Sequence, residues 1–218
     1  MITLDNIKKI IPEYPKLSGR EDFTRTAVVV VLLKDKDDWK VIFEKRAHNI
    51  SQAGEISFAG GKFDERFDKT PKDTAIRETV EELGIDKKDI EVLGELDTLA
   101  APIGAIIQPF VAISNITESS INYNKNEVEY IFSVPLKWFL DNKPKEYQTI
   151  LKAHPTTIDK DGKEITLLPV KELGLPERYN KPWGRLKQKV YVYNYKNEII
   201  WGLTAKIMHS FINNLIKN

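Results

Sequence analysis

Three glutamates crowd into one short stretch of the chain. Glu78, Glu81 and Glu82 fall within five positions, and at about 100° per residue they would share one side of a helix. Like charges so close together are unfavourable unless a cation compensates them, and Mg²⁺ and Mn²⁺ prefer carboxylate oxygens as ligands. The glutamates therefore predict a divalent metal site, with a solvated acidic face as the alternative.

A glycine pair and a polar loop precede these glutamates. Gly60 and Gly61 can bring the backbone close to a ligand, because they carry no side chain; a tight turn is the alternative. Mg²⁺ in proteins is commonly shared between carboxylates and substrate phosphates. Glycines and glutamates together predict a metal-assisted attack of water on a phosphoanhydride, with a further carboxylate taking a proton from the water.

A helix over residues 70–83 must position the glutamates, and its ends are well marked. Thr70 can cap it, Pro71 suits the first helical position, and Asp73 can complete a capping box. Gly84 is the expected stop. These signals predict the helix bounds independently of any chemistry.

The apolar residues and the glutamates are expected to lie on different sides of this helix. Ile76, Val80 and Leu83 form the apolar stripe that would face the core, so the glutamates should lie beside the buried face rather than on it. Arg77 stands four residues before Glu81 and is expected to pair with it.

Strand and helix patterns mix without strict alternation, which predicts an α+β fold. Residues 26–33 and 39–46 are β-branched runs typical of a hairpin, and the first run is apolar on both faces, as in a central strand. Further strands are expected at residues 90–99, 106–114 and 127–136, in a hairpin turning at 161–162 and as a pair within 187–205, with further helices at 3–11, 136–142 and 204–217.

The composition limits what else the chain can be. The chain has no cysteine, which excludes thiolate zinc sites and a cysteine nucleophile. Its 33 lysines and arginines nearly balance 32 acidic residues, so the net charge of +1 gives no support for nucleic-acid binding. The longest apolar run, residues 27–33, is far too short for a membrane span, and the N-terminus lacks a signal-peptide core. We expect a single cytoplasmic domain over residues 1–218; the sequence leaves the oligomeric state open, with a homodimer as one candidate.

The stretch RETVEELGI, residues 77–85, resembles the second half of the Nudix box, Arg-Glu-apolar-x-Glu-Glu-x-Gly-apolar. The resemblance implies the Nudix fold, a mixed, curved β-sheet sandwiched between α-helices. It also implies an enzyme that uses Mg²⁺ or Mn²⁺ to hydrolyse a nucleoside diphosphate linked to another group. Glu78 and Glu82 would be metal ligands, Glu81 a third ligand or a link through water, and Gly60 a backbone ligand. Arg77 would orient a glutamate for catalysis.

Upstream of the helix the chain is similar to one branch of that superfamily, the coenzyme A diphosphatases. Phe63 and Lys69 occupy the usual glycine and glutamate positions of the box, whereas the segment from residue 42 to 62 follows the branch signature through Ile42, Phe43, Arg46, Gly54, Phe58, Gly60, Gly61 and Lys62. The similarity continues discontinuously over residues 24–212. It implies coenzyme A as the small-molecule substrate, with Arg46, Gly54, Phe58, Gly61 and Lys62 as substrate-binding residues.

Departures from this branch leave other functions open. Ile50 stands where the branch has an arginine, Glu44 where it has a hydroxyl residue, and Ala59 where it has proline. Because a guanidinium is a preferred phosphate clasp, Ile50 keeps a hydrolase of ADP-ribose or of an oxidised nucleotide as an alternative. A Nudix protein that binds nucleotides without turnover is a further alternative, against which all three helix glutamates argue.

The catalytic base is expected either in the helix or in a later loop. Glu127 precedes a predicted strand and stands where the resembling branch has Asn-x-Glu-Val or a close variant. We predict that Glu127 and Glu81 act in catalysis. Glu78 is an alternative base, and an ordinary strand-edge carboxylate is the alternative for Glu127.

Overall fold

The computed structural model describes residues 18–36 and 38–217, which form two compact units divided between Leu136 and Lys137. The predicted helix at residues 3–11 lies outside the described residues. A single domain over residues 1–218 stays a prediction, and each unit is described by itself.

The first unit is built on an eight-stranded mixed sheet. Its main path runs β3–β2–β1–β7–β5, while β4 pairs with β1, β6 with β7 and β8 with β2. Only β1 and β7 run parallel among these pairs within the described residues. The strands are β1 (Thr24–Asp35), β2 (Asp38–Arg46), β3 (Ile56–Ser57), β4 (Ala59–Lys62), β5 (Glu91–Glu95), β6 (Leu99–Ala101), β7 (Ala105–Ser114) and β8 (Val128–Pro135).

Strand β1 is buried along both faces, as its apolar sequence predicts. Val29 on one face and Val30 on the other are 1% and 0% exposed. The Val29 face packs in a core cluster that includes Ala75 and Leu83 of the following helix. The predicted β1–β2 hairpin is confirmed by antiparallel pairing of the two strands.

Helix α1 (Pro71–Leu83) begins and ends where the sequence predicts. The Thr70 hydroxyl accepts a hydrogen bond from the Asp73 amide, and the Asp73 carboxylate accepts one from the Thr70 amide at 2.8 Å. Gly84 closes the helix in the left-handed conformation, with φ of 65°, which glycine adopts without steric cost.

The buried face of α1 differs from the predicted stripe. Ile76 and Val80 are only partly buried, so that part of the prediction is wrong. The buried residues are Thr74, Ala75, Thr79, Glu82 and Leu83. Small side chains dominate this face because α1 packs directly on β1 and on the glycine-containing strand β4.

The second unit contains a three-stranded antiparallel sheet in the order β13–β12–β9, a separate β10–β11 hairpin and a closing helix that packs on β12. The hairpin turns at Gly162, as predicted, whereas β9 was not predicted. After helix α2 (Leu136–Asp141), at which the units divide, the elements are β9 (Lys145–Ala153), β10 (Thr156–Ile158), β11 (Glu164–Thr166), β12 (Trp183–Tyr195), β13 (Glu198–Trp201) and α3 (Gly202–Lys217).

The mixed sheet and its helices confirm the α+β class. Helices on both sides of one sheet stay a prediction. Across residues 18–36 and 38–217, no helix is long and apolar enough to cross a membrane. The cytoplasmic location and the candidate homodimer stay predictions.

Candidate active site

Strand β4 places the glycine pair directly against α1. The alternative of a tight turn at this pair is wrong, because Gly60 and Gly61 pair with β1 opposite Val28 and Ala27. The Gly60 amide donates a hydrogen bond to Glu82 Oε2 at 2.8 Å. A Cβ atom at Gly61 would lie 2.3 Å from the carboxylate of a second helix glutamate. The missing side chains therefore allow the helix glutamates to reach the strand backbone.

The three helix glutamates differ in burial. Glu81 is exposed and Glu78 is partly buried, in line with a position beside the core-facing side of α1. Glu82 is only 4% exposed, so its predicted position outside the buried face is wrong. It is accommodated there because the Gly60 amide satisfies one of its oxygens.

A fourth carboxylate, that of Glu44 on β2, joins the helix glutamates. Its side chain is 1% exposed, and its Oε1 accepts a hydrogen bond from Ser57 Oγ at 2.9 Å. Its Oε2 has no hydrogen-bond partner. The Arg46 Nη1 atom lies 3.9 Å from Oε1. Glu44 was noted only as a departure from the family pattern, and its place in the site was not predicted.

Alternation along β2 was the signal that could have revealed Glu44. Successive strand residues point to opposite faces, so Ile42 and Glu44 share one face. Ile42 belongs to the core cluster that contains Ala75 and Leu83 of α1. Glu44 therefore lies on the side of β2 that faces the core cluster to which α1 contributes.

Burial raises the pKa of three carboxyl groups in this cluster. Desolvation is the largest cause for Glu82, reinforced by the charge of Glu44, and its pKa reaches about 9. Desolvation likewise raises the pKa of Glu44 to about 7, and the charges of Glu127 and Glu78 add to the effect. The pKa of Glu78 is raised mainly by burial, against the lowering effect of the Arg77 guanidinium. The cluster is thus short of positive charge.

Arg77 ties the helix to the preceding loop. Its Nε and Nη2 atoms donate to the two oxygens of Asp68, each at 3.0 Å. Its Nη1 donates to Glu78 at 2.8 Å and to Glu81 at 3.1 Å, which confirms the predicted pairing with Glu81. Hydrogen bonding from Arg77 is the largest cause that lowers the pKa of Asp68 to about 2.

The donor set fits a hard divalent cation, although the site is not fully preformed. In the described part of the chain, no three acidic or histidine side chains are arranged as a ready-made metal site. The Gly60 amide and the Arg77 guanidinium hold carboxylate oxygens of Glu82 and Glu78 instead. The buried, unpartnered oxygen of Glu44 nevertheless needs a compensating charge or donor. A cation would supply that charge once side chains had adjusted.

An open cleft of about 570 Å³ adjoins Glu78 and Glu81. The backbone carbonyl of Lys62 accepts a hydrogen bond from Arg77 at 3.3 Å, so the glycine strand and the helix meet beside the cleft. Its lining residues are Lys62, Phe63, Asp64, Glu65, Phe67, Arg77, Glu78 and Glu81. The cleft brings two cationic side chains, two aromatic rings and two of the helix glutamates to one surface.

Two residues of the predicted substrate-binding set, Phe58 and Gly54, make contacts that support the fold. Phe58 is 3% exposed, and its ring centroid lies 5.1 Å from that of Phe43. Because Phe43 and Glu44 are consecutive in β2, they point to opposite faces, so Phe58 is a core residue away from the carboxylates. Gly54, with φ of 76°, donates its amide to the Arg46 carbonyl at 2.9 Å and closes the β2–β3 loop.

The loop before β8 brings Glu127 beside the cluster. The Ala47 amide donates to the Glu127 carbonyl at 2.9 Å, and the Asn124 amide donates to the Glu82 carbonyl at 2.8 Å. The partly buried Glu127 carboxylate lies close enough to raise the pKa of Glu44 on β2 and of Glu78 on α1. The Arg46 guanidinium acts in the opposite direction on Glu44.

Comparison with known proteins identifies the family. Residues 23–182 match the NUDIX domain. The chain is 29% identical over 200 residues to the Nudix hydrolase NudL of Photorhabdus laumondii, across 91% of this chain and 88% of the relative. It is 26% identical over 186 residues to NudL of Yersinia pestis, across 84% and 76%. A solved MutT/nudix family protein from Enterococcus faecalis shows 16% identity with a TM-score of 0.47, across 100% of this chain and 71% of that one. The domain match covers most of the chain, which therefore belongs to the Nudix family and is a hydrolase of nucleoside diphosphate derivatives.

Proposed function

We propose that the protein hydrolyses coenzyme A to 3′,5′-ADP and 4′-phosphopantetheine, with Mg²⁺ or Mn²⁺ held at the helix glutamates. The observation that carries the chemistry is the contact of α1 with strand β4. Glu82 accepts a hydrogen bond from the Gly60 amide, and the Glu78 carboxylate lies against Gly61. The substrate is supported by the sequence resemblance through the glycine pair and Lys62.

Each helix glutamate has a proposed part in holding the cation. Glu78 and Glu82 are the proposed ligands, with the Gly60 carbonyl as a backbone ligand and Glu81 as a third ligand or a link through water. When bound, the cation would neutralise phosphate charge and polarise the phosphoanhydride. Arg77 positions Glu78 and Glu81 through its hydrogen bonds to both.

Glu127 is the proposed general base. Its carboxylate is partly exposed, so water can reach it, and it lies in the electrostatic field of Glu44 and Glu78. By taking a proton from water it allows the water oxygen to attack a phosphorus atom, while the departing phosphate keeps the electrons of the broken bond. Glu78 is the weaker candidate, because Arg77 already engages one of its oxygens.

Arg46 and Lys62 are the proposed contacts to substrate phosphates. Lys62 lines the cleft beside the helix glutamates. Arg46 is the last residue of β2, and its Nη1 lies 3.9 Å from Glu44 Oε1. Gly54 and Gly61 would contribute by allowing the backbone to approach the substrate.

Another nucleoside diphosphate derivative is the second candidate substrate, and Ile50 favours it. Ile50 lies in the β2–β3 loop that the Gly54–Arg46 hydrogen bond closes. The resembling branch has a phosphate-binding guanidinium at this position, and Ile50 offers none. If coenzyme A is the substrate, Ile50→Arg should raise kcat/KM for coenzyme A; a hydrolase selected for ADP-ribose should gain nothing.

A substrate panel tests the proposal. Coenzyme A, ADP-ribose, a diadenosine polyphosphate and 8-oxo-dGTP would each be incubated with Mg²⁺ or Mn²⁺, and the products identified by mass. We expect coenzyme A to have the highest kcat/KM. Robust cleavage of ADP-ribose with coenzyme A untouched would overturn the substrate.

Two matched variants test the metal site within the same assay. Glu82→Gln removes a proposed ligand at nearly constant size, and we expect kcat/KM to fall at least about 100-fold. Glu91→Gln makes the same change at an exposed glutamate of β5 and should leave the rate unchanged. An unchanged rate in Glu82→Gln would rule out its role as a ligand.

A further inference from the structure

The Glu44 carboxylate is buried with too few partners. Its side chain is 1% exposed, and the Ser57 hydroxyl is the one hydrogen-bond donor that reaches it in the described part of the chain. The nearest Arg46 nitrogen is 3.9 Å from Oε1, beyond hydrogen-bonding distance. Oε2 has no partner. A buried carboxylate in this state is unfavourable unless a charge or a donor completes its surroundings.

The unpartnered oxygen belongs to a side chain that faces the proposed metal site. Glu44 shares its face of β2 with Ile42, which packs in the core cluster that contains Ala75 and Leu83 of α1. The carboxylates of Glu78, Glu82 and Glu127 all act on it electrostatically. The Arg46 guanidinium places a positive charge near Glu44, but its nearest nitrogen is too distant from Oε1 for a hydrogen bond.

Glu44 also departs from the pattern of the branch that the chain resembles, in which a hydroxyl residue occupies this position. A hydroxyl could bond to the backbone or to Ser57 without introducing charge. The glutamate adds a negative charge beside Glu82, which disfavours the metal-free fold. A divalent cation reverses that effect, because it is attracted by both carboxylates.

We propose that Glu44 is a ligand of the divalent cation, contributed by β2, so that the ion is held between the strand and Glu82 of α1. The inference rests on the metal site of the proposed function and adds a ligand to it. It assigns a charge partner to the unpartnered oxygen. It also makes two elements of the sheet-and-helix core depend on the ion.

Metal binding and thermal unfolding test the assignment without any substrate. Mn²⁺ affinity would be measured from the electron paramagnetic resonance signal of the free ion, for the wild type, Glu44→Gln, Glu44→Thr, Glu82→Gln and the exposed control Glu91→Gln. We expect both Glu44 variants to weaken Mn²⁺ binding at least about 10-fold. Two variants are used because either one alone could pack poorly.

Thermal unfolding separates a ligand from a merely structural group. Removing the buried charge should raise the Tm of the metal-free Glu44→Gln protein, and the rise in Tm caused by saturating Mn²⁺ should shrink. Loss of the Ser57 hydrogen bond alone would lower Tm with and without the ion by similar amounts, a result that would overturn the inference.

The outcomes distinguish this inference from the function on which it rests. Wild-type Mn²⁺ affinity in both Glu44 variants, with binding lost in Glu82→Gln, would overturn the Glu44 assignment and leave the metal site standing. A wild-type protein that binds no Mn²⁺ would overturn both.

Discussion

Gly61→Ala is expected to damage activity while leaving stability almost unchanged. The added Cβ would lie 2.3 Å from Cδ and Oε1 of Glu78, so the carboxylate must withdraw by about 1 Å to reach ordinary contact. Withdrawal costs little stability, because the carboxylate is the end of a flexible side chain. A displacement of about 1 Å in a catalytic arrangement can lower the rate about 100-fold, which corresponds to about 2.7 kcal/mol in the barrier.

Gly60→Ala supplies the matched control, because the same methyl group meets backbone instead. Its Cβ would lie 2.4 Å from the Ala27 carbonyl oxygen and 2.7 Å from the Val28 Cα. Both atoms belong to the buried central strand β1, which cannot withdraw alone. We expect overpacking to cost about 3 kcal/mol or more of unfolding free energy.

The two alanine variants would be compared by urea unfolding, by Mn²⁺ affinity and by kcat/KM for the best substrate of the panel. The reasoning requires opposite profiles: a stable, impaired Gly61→Ala and a destabilised Gly60→Ala. Full activity and full Mn²⁺ affinity in Gly61→Ala would refute the claim that the position of Glu78 matters. Equal destabilisation by the two substitutions would refute the distinction between side-chain and backbone clashes.

Three further outcomes follow from the same geometry. Arg77→Lys should lower the unfolding free energy by about 1–3 kcal/mol, because lysine cannot make the two-pronged contact to buried Asp68; unchanged urea unfolding would contradict this. The metal-free protein should lose stability as the pH rises from about 5 to about 9, because Glu44 and Glu82, with folded-state pKa values of about 7 and about 9, hold protons more tightly than the unfolded chain does. Saturating Mn²⁺ should flatten that dependence, and a flat profile without metal would count against the buried charges. Thr70→Ala should cost about 1 kcal/mol by loss of the helix cap, with kcat/KM unchanged, as measured by urea unfolding and the panel assay.

Elements with local signals were predictable from sequence. The bounds of α1 follow from Thr70, Asp73 and Gly84, each of which interacts within a few residues of itself. The β1–β2 hairpin follows from two β-branched runs close together in the chain. The pairing of Arg77 with Glu81 likewise depends on helical spacing alone.

Features that depend on distant contacts were missed. Gly60 and Gly61 have low strand propensity, and they form β4 because β1 supplies their hydrogen bonds. The buried position of Glu82 depends on the Gly60 amide, 22 residues earlier. The burial of Glu44 follows from the face it shares with Ile42 only once the core cluster of Ile42 with Ala75 and Leu83 of α1 is known. In each case the sequence shows the residue, and the partner comes from elsewhere in the chain.

The loop that carries Glu127 is fastened to the elements that hold the other carboxylates. The Asn124 amide donates a hydrogen bond to the Glu82 carbonyl, and the Glu127 carbonyl accepts one from the amide of Ala47, the residue after β2. A substitution that shifts α1 as a whole should therefore move the proposed base, Glu127, together with the proposed ligands Glu78 and Glu82, and so preserve their spacing. Such an arrangement confers evolvability: surrounding residues can drift toward a new nucleotide preference while the capacity to split a diphosphate is inherited intact.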